Sequence, residues 1–578
     1  MIGESGALAL RCSFLIAAPA AEVASLKIQP AVVSDRNSSQ VAGVAVLVSL
    51  FSFLYYFQHG DLLLYGDAVA HINIARRVFD SLTPGPLQLG TVWLPLPHVL
   101  MMPFIFPDTL WQNGVGGSIP SMIAYVLAVM GIFRLARTLL EADERTKPAA
   151  GLGAWTAAFA FGANPNLMYM QATAMTETIY LAFFVWAVVY FSEFIRGLRE
   201  GENCPLGVDT RSSLLRCSGC LAGAELTRYD GWILASVIGA AVVVIALSRW
   251  QTHGLRRLAL KFLLLIAVAP VLWLAYNAIV YRNPLEFANG PYSARAIEQR
   301  FQAPNPALHN APVAALYFLK SGQLNMAIGN WGRLWLAAAF MALVIALWKL
   351  RGQTIPLLLL WVPLVFYALS IAYGSVPIHV STWWPFATFN QRYGIQLLPM
   401  FSVSAGVLTA FVFLAAAAKR HGGKVGALVL ALIAVSYFSV WKATPECLKE
   451  AQRNWDIRQP LNAAVQRAVQ GLPRNSIFLM DLGEHVGVMQ QAGIPLRRVV
   501  NGENHRPWKK PSDPEGLWER ALADPQQYVD YVIAFDGDPV DQTANHANLK
   551  ELMEIHATGQ PRARIYATGR VIAPNQSR

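Results

Sequence analysis

The chain has 578 residues, 54% of them hydrophobic and only 14% charged, with a formal net charge of +11. A soluble domain carries roughly 25% charged residues, so the composition excludes a soluble globular protein and points to a polytopic membrane protein. The positive charge implies no nucleic-acid partner, because the basic residues lie in short loops between apolar runs instead of clustering on one soluble face.

Residues 1–40 hold an apolar run, Ser13 to Ala21, that is a little like a cleaved signal peptide, but Arg11 is the only positive charge before it. The segment is read as a cytoplasmic N-terminal tail. A span needs about 20 largely apolar residues. Eleven are expected, near 41–58, 118–140, 151–166, 176–195, 212–226, 230–248, 258–281, 331–349, 354–373, 393–417 and 424–442. Together, 41–442 form a transmembrane core. Its first outer loop, 59–117, carries the amphipathic stretch Asp67 to Leu82 and the proline-broken Trp93-Leu94-Pro95-Leu96-Pro97-His98. The prolines argue against a clean span there and for a re-entrant or interfacial segment. Pro270 is expected to kink the seventh span.

Positive residues in short loops stay on the cytoplasmic side. With the N-terminus inside, the inner loops hold 17 Lys and Arg, from Arg134 to Lys424, and the outer loops hold 8, from Arg76 to Arg392. That asymmetry sets the orientation. Beyond Trp441 the chain becomes mixed polar and apolar, so 443–578 are read as a small α/β domain on the outer face. Asn454 to Gln470 has helical spacing, and Ile477 to Met480, Tyr531 to Phe535 and Arg564 to Ile572 read as strands. Of five cysteines, only Cys217 and Cys220 have a spacing with chemical meaning, and small neighbours make helix packing the preferred reading there.

Four polar features fall on the outer ends of spans. They are Tyr65-Gly66-Asp67-Ala68-Val69-Ala70-His71, Ala174-Met175-Thr176-Glu177, Leu226-Thr227-Arg228-Tyr229-Asp230-Gly231-Trp232 and Asn390-Gln391-Arg392-Tyr393. Acids and arginines from distant parts of the chain thus meet one leaflet boundary, although span ends are also where charges ordinarily go. A carboxylate can take a proton from a hydroxyl and make it a nucleophile. An arginine fork binds phosphate and stabilises the charge that builds as it leaves. This pairing suits transfer of a group from a lipid phosphate to an alcohol. With a sugar donor, one displacement inverts the anomeric carbon.

In that order of motifs the chain resembles the GT-C superfamily of membrane glycosyltransferases, closest to the protein O-mannosyltransferase and lipid A aminoarabinose transferase branch. The resemblance covers about 40–440 and is strongest over 60–235. It implies an all-α, GT-C-like membrane core with a small extracytoplasmic α/β domain, in a bacterial inner membrane. It makes Asp67 the general base or acceptor-positioning acid and Glu177 the second acid, holding acceptor or loop. Arg228 and Arg392 become ligands of the donor phosphate, with Arg76 and Arg77 as further candidates on the amphipathic stretch. His71, Tyr229 and Asp230 would position substrate, with a plain Asp230–Arg228 pair as the structural alternative. The branch often has a paired Asp-Glu in the first loop, whereas this chain has Asp67 between Gly66 and Ala68. That departure tells against a protein acceptor. The implied partners are a polyprenyl-phosphate sugar donor, a lipid, glycan or protein acceptor, and membrane lipids.

No cofactor is firmly implied. Some relatives use a divalent cation, and Asp67, His71 and Glu177 would be its ligands, but a hydrogen bond from His71 to Asp67 or substrate is preferred. His98 and His379 read as structural. Trp93, Trp383 and Trp384 read as interfacial belt residues, with sugar stacking as the alternative. The Pro- and Asn-rich loop 282–330 either closes over a donor or is a plain surface loop. The rival function is a lipid or solute transporter or flippase, which would place charges at mid-membrane in broken helices and show repeats. A scaffold whose soluble tail recruits a partner is a third reading.

Overall fold

The computed structural model describes residues 36–570, apart from 201–205, 292, 302–303, 351–353, 375, 418–420, 474, 484, 486, 505–515 and 548. The expected N-terminal tail therefore lies outside the described residues as far as position 35, as do Arg351, Lys419 and Arg420 of the inner loops.

The chain is mostly helical. Helix α1 (Arg36–His59) ends where Gly60 takes φ +77°, a left-handed turn that glycine adopts without strain. Next come the short loop helices α2 (Gly66–Arg77) and α3 (Leu96–Met101), then α4 (Val115–Glu141), α5 (Ala150–Gly162) and α6 (Glu177–Glu200). The series continues with α7 (Val208–Glu225), α8 (Asp230–Ser248), α9 (Leu255–Tyr281) and α10 (Ala311–Met326). The later membrane helices are α11 (Gly332–Ile345), α12 (Val362–Tyr373), α13 (Leu398–Ala417) and α14 (Gly422–Lys442), and α15 (Glu446–Gln470) follows them.

Among the described residues, nine helical stretches are long and apolar enough to cross a membrane. The expectation was eleven. The two that fall short are 151–166 and 212–226. Helix α5 has 13 residues, about 20 Å at 1.5 Å per residue, against roughly 30 Å of hydrocarbon. Helix α7 has 18 residues but carries Asp209, Arg211 and Arg216. Both still belong to the bundle. A Cβ on Gly406 of α13 would lie 2.4 Å from the Gly153 carbonyl oxygen of α5, so these two backbones touch, as small residues allow in membranes. Cys217 is packed into the bundle, its Sγ 3.3 Å from the Ala187 carbonyl. Pro270 sits inside α9, which runs unbroken past it.

The proline-broken segment of the first loop forms α3, opened by Pro95 and Pro97 in the first-turn positions that proline tolerates. Half of the expected loop 282–330 is also helical. Asn310 caps α10 by accepting from the Val313 N–H at 3.2 Å, and the helix buries Lys320, Gln323 and Asn325.

After α15 comes a five-stranded sheet of order β2-β1-β3-β5-β4. Its strands are β1 (Phe478–Met480), β2 (Val499–Val500), β3 (Tyr531–Phe535), β4 (Lys550–Ile555) and β5 (Ala563–Ala567). Strands β2, β1 and β3 are parallel, and β5 runs antiparallel to both β3 and β4. This α/β unit is tied to the first loop by polar contacts. Asn73 Nδ2 donates to Gln490 Oε1 at 2.7 Å, and Gln490 Nε2 donates to the Trp111 carbonyl at 2.6 Å. Arg497 pairs with Asp80 at 2.9 Å.

Candidate active site

Helix α2 presents Asp67 in its first turn, where an acid complements the positive end of the helix dipole. Ala68, Val69, Ile72 and Ala75 bury the opposite face. Glu177 opens α6 after Thr176. Arg228 sits in the tight turn between α7 and α8, and Asp230 is the first residue of α8. Arg392 lies in a 3₁₀ stretch, Gln391–Leu397, entered through Asn390 at φ +56°.

The four features do meet. Arg392 Nη2 donates to Asp67 Oδ2 at 2.5 Å and its Nη1 to Glu450 Oε1 at 2.6 Å. Its Nε is 3.4 Å from Glu177 Oε1, at an angle that makes no hydrogen bond. The same Glu177 oxygen accepts from Arg228 Nη1 at 3.2 Å. Arg228 also donates to Thr176 Oγ1 at 3.0 Å and to the Tyr367 hydroxyl at 2.9 Å, and its Nε is 3.3 Å from Asp230 Oδ1. Tyr367 in turn donates to Asp230 Oδ2 at 3.3 Å. The ring of Tyr393 faces both guanidiniums, at 5.2 Å from Arg228 and 5.0 Å from Arg392. Tyr65 covers Arg392 at 5.1 Å.

Four carboxylates (Asp67, Glu177, Asp230 and Glu450) thus share two guanidiniums. The side chains of Glu177, Asp230 and Glu450 are 1%, 1% and 7% exposed, whereas Asp67 is 41% exposed. Buried charges of this kind persist only because each is paired and hydrogen-bonded. Asp67 is the member that faces out. Buried polar capacity also remains on this cluster: Glu177 Oε2, Thr178 Oγ1 and the side-chain amides of Gln391 and Gln396 have no partner among the described residues.

His71 does not bond Asp67. Its Nδ1 is 2.9 Å from His98 Nε2, and its ring lies 4.6 Å from that of Trp93. Burial, with Arg228 and Arg392 nearby, pushes the His71 imidazole down to about 3, so it is neutral at pH 7. Burial, with His71 and Arg77 beside it, also lowers His98. Arg76 is spent inside the loop, on Asp80 at 2.8 Å, the Ile105 and Phe106 carbonyls at 2.8 Å each, and Asp108. Arg77 is buried with fewer ties: Gln88 O at 3.4 Å, Glu503 Oε1 at 3.7 Å, and an Nε with no partner among the described residues. Tyr229 lies off the cluster. Its hydroxyl donates to the Val92 carbonyl at 3.1 Å and accepts from Trp273 Nε1 at 3.2 Å.

Sequence reasoning passed over Glu450, Tyr367 and His98 as members of this neighbourhood. Glu450 was assigned to the terminal domain, yet it lies eight residues beyond Lys442 and is bonded to Arg392. Of the side candidates, His379 Nε2 bonds the Pro304 carbonyl at 2.7 Å, and Trp383 packs on Tyr317. Among the described residues no three His, Cys, Asp or Glu side chains are grouped to hold a metal ion. An open apolar groove of about 690 Å³ lies between α11, α13 and α14, lined by Trp331, Trp335, Leu408 and Leu432. Its apolar walls suit hydrocarbon rather than charge, and none of the four carboxylates lines it.

No protein-family model matches the chain, and no curated protein sequence matches it. Solved structures do. The chain is similar to ArnT from Cupriavidus metallidurans bound to undecaprenyl phosphate, with TM-score 0.53 and 14% identity, over 93% of this chain and 99% of that one. The same enzyme in the apo state gives TM-score 0.52 and 15% identity, over 91% and 98%. The oligosaccharyltransferase of Archaeoglobus fulgidus, in complex with zinc and sulfate, gives TM-score 0.47 and 13% identity, over 91% and 73%. The two ArnT structures thus share their overall fold with this chain, a multi-pass helical membrane protein with a small terminal sheet.

Proposed function

We propose that this chain is an inverting glycosyltransferase that moves a sugar from a polyprenyl-phosphate carrier to a hydroxyl acceptor at the outer face of the membrane. The observation that carries the reading is the half-exposed Asp67, held by Arg392 beside three buried carboxylates. In the reaction, Asp67 takes the proton of the acceptor hydroxyl. The acceptor oxygen forms a bond to the anomeric carbon, and the carbon–oxygen bond to phosphate breaks. The phosphate leaves with the electron pair and needs no acid catalyst. One displacement inverts the anomeric centre.

Arg392 meets the departing charge by exchanging its Nη2 contact with Asp67, the one carboxylate partner that opens to solvent. Arg77, with spare donor capacity, is the second phosphate ligand; Arg76 is too fully bonded for that role. Glu177 and Asp230 hold Arg228 and Arg392 in place. The fold likeness to a transferase bound to undecaprenyl phosphate supports a carrier of that chemical class. A transporter reading gains nothing from the arrangement, because the charges converge at helix ends.

The test uses protein in liposomes with radiolabelled undecaprenyl-phosphate mannose, glucose and galactose in parallel, and a detergent extract of the cell envelope as acceptor. Transfer with inversion is expected from one donor, read from the anomeric coupling of the product. Asp67→Asn should lower the rate by about 10²- to 10⁴-fold. Undiminished transfer by the variant would falsify the base assignment, and no transfer from any donor would overturn the class.

A further inference from the structure

Helix α15 follows the last membrane helix, and one face of it is turned on the acid-bearing turn. Residues 447, 450, 454 and 458 are spaced three and four apart, so they line one side of a helix. Each makes a contact with the stretch 64–67 or with its arginine. The Cys447 carbonyl accepts from the Tyr65 hydroxyl at 2.7 Å. Glu450 binds Arg392 twice, through the guanidinium at 2.6 Å and through the backbone N–H at 3.2 Å. Asn454 Oδ1 accepts from the Gly66 N–H at 2.7 Å, capping α2 from outside because Tyr65 has no capping side chain. Arg458 Nη2 donates to the Leu64 carbonyl at 2.8 Å. The approach is tight: a Cβ on Gly66 would meet Asn454 Oδ1 at 3.2 Å and Arg458 Nε at 3.3 Å, so both side chains would have to give way.

We infer that α15 is a positioning element of the active site, and that Glu450 sets the orientation of Asp67 through Arg392. The inference rests on Asp67 being the base, but its test does not. Glu450 occupies one end of the Arg392 guanidinium, so the other end presents a single N–H to Asp67, aimed by the planar fork.

The experiment measures amide exchange over 64–68 by mass spectrometry of the full-length protein in nanodiscs, with kcat and KM for transfer alongside. In Glu450→Gln, exchange over 64–68 at least tenfold faster is expected, with the loss of transfer falling on kcat rather than KM. Glu446→Gln, on the same helix but paired with Lys449, should leave both where they were. Unchanged exchange over 64–68 in Glu450→Gln overturns the inference even if transfer is lost. Failure of transfer in the unmodified protein overturns the proposed reaction and leaves the exchange result to decide the role of α15. If Glu450→Gln does not fold, Arg458→Ala is read by amide exchange over 64–68. Exchange at least tenfold faster is expected there, and unchanged exchange overturns the inference.

Discussion

Removing Arg392 should be the most damaging single change at this site. Its guanidinium touches Asp67 at 2.5 Å, Glu450 at 2.6 Å and Glu177 at 3.4 Å, and it is stacked between the rings of Tyr65 and Tyr393. Glu450 has Arg392 as its ion-pair partner and is 7% exposed, so Arg392→Ala strands a buried charge. Breaking a buried pair in this way costs roughly 3–5 kcal/mol. The two ring contacts add about 0.5–1 kcal/mol each. The loss is therefore about 5 kcal/mol, comparable to the whole stability of many domains. It is measured by unfolding in mixed micelles of rising SDS content, followed by tryptophan fluorescence. Replacing both partners, as Arg392→Met with Glu450→Leu, removes the stranded charge and should recover more than half of the loss. The double variant should stay inactive, since Asp67 has lost its anchor. A cost below about 1 kcal/mol for Arg392→Ala, or full activity in the double variant, would refute the reasoning.

Asp67→Asn should be nearly neutral in the same unfolding assay, within about 1 kcal/mol, because its side chain is half exposed, so the loss of transfer and the loss of stability separate at this position. Gly66→Ala puts a Cβ against Asn454 and Arg458 and should cost about 1 kcal/mol, with faster amide exchange at the start of α2. Gly406→Val forces α5 and α13 apart, because even a Cβ would sit 2.4 Å from the Gly153 carbonyl, and folded protein should not be recovered after size-exclusion chromatography. His71 gives a pH dependence. Its folded-state pKa of about 3 lies below the ordinary 6.5, so the unfolded chain binds the extra proton first, and stability falls as pH drops below about 6.5 until about 3. Between pH 7 and 5 this one residue should cost about 2 kcal/mol. In His71→Gln that part of the slope should vanish from SDS unfolding curves taken at the two pH values.

Much of the site was legible in the sequence because desolvation is costly. A carboxylate or guanidinium cannot rest in hydrocarbon, so Asp67, Glu177, Arg228 and Arg392 had to stand at helix ends. Beyond the local Asp230–Arg228 pair, which acid would bond which arginine was not legible, since Arg392 meets Asp67 across 325 residues of chain. Glu450 escaped notice because Lys449, Arg453 and Arg458 surround it, and a polar helix after the last span looks like a solvated face. Helix α10 escaped because its buried residues Lys320, Gln323 and Asn325 break the apolar periodicity. Strand β2 has two residues, too few for alternation to register, and β4 exposes most of its length. The spans at 151–166 and 212–226 were drawn from apolar runs without weighing length and charge together.

The charge balance also explains why so many acids surround so few bases. A guanidinium is a planar fork with donors on three sides, and Arg392 has a carboxylate on each. Two of these, Glu177 and Glu450, are buried, and moving either would leave an uncompensated charge in low dielectric. Asp67 can move, because water takes over its solvation at once. The same residue type in one cluster therefore stands in two settings, set by exposure alone: three buried carboxylates hold the arginines still, and a fourth, in the proposed reaction, trades its partner for an incoming anion. A frame in which all four were buried would hold just as firmly and could not turn over; one in which all four were exposed would have no fixed geometry to offer.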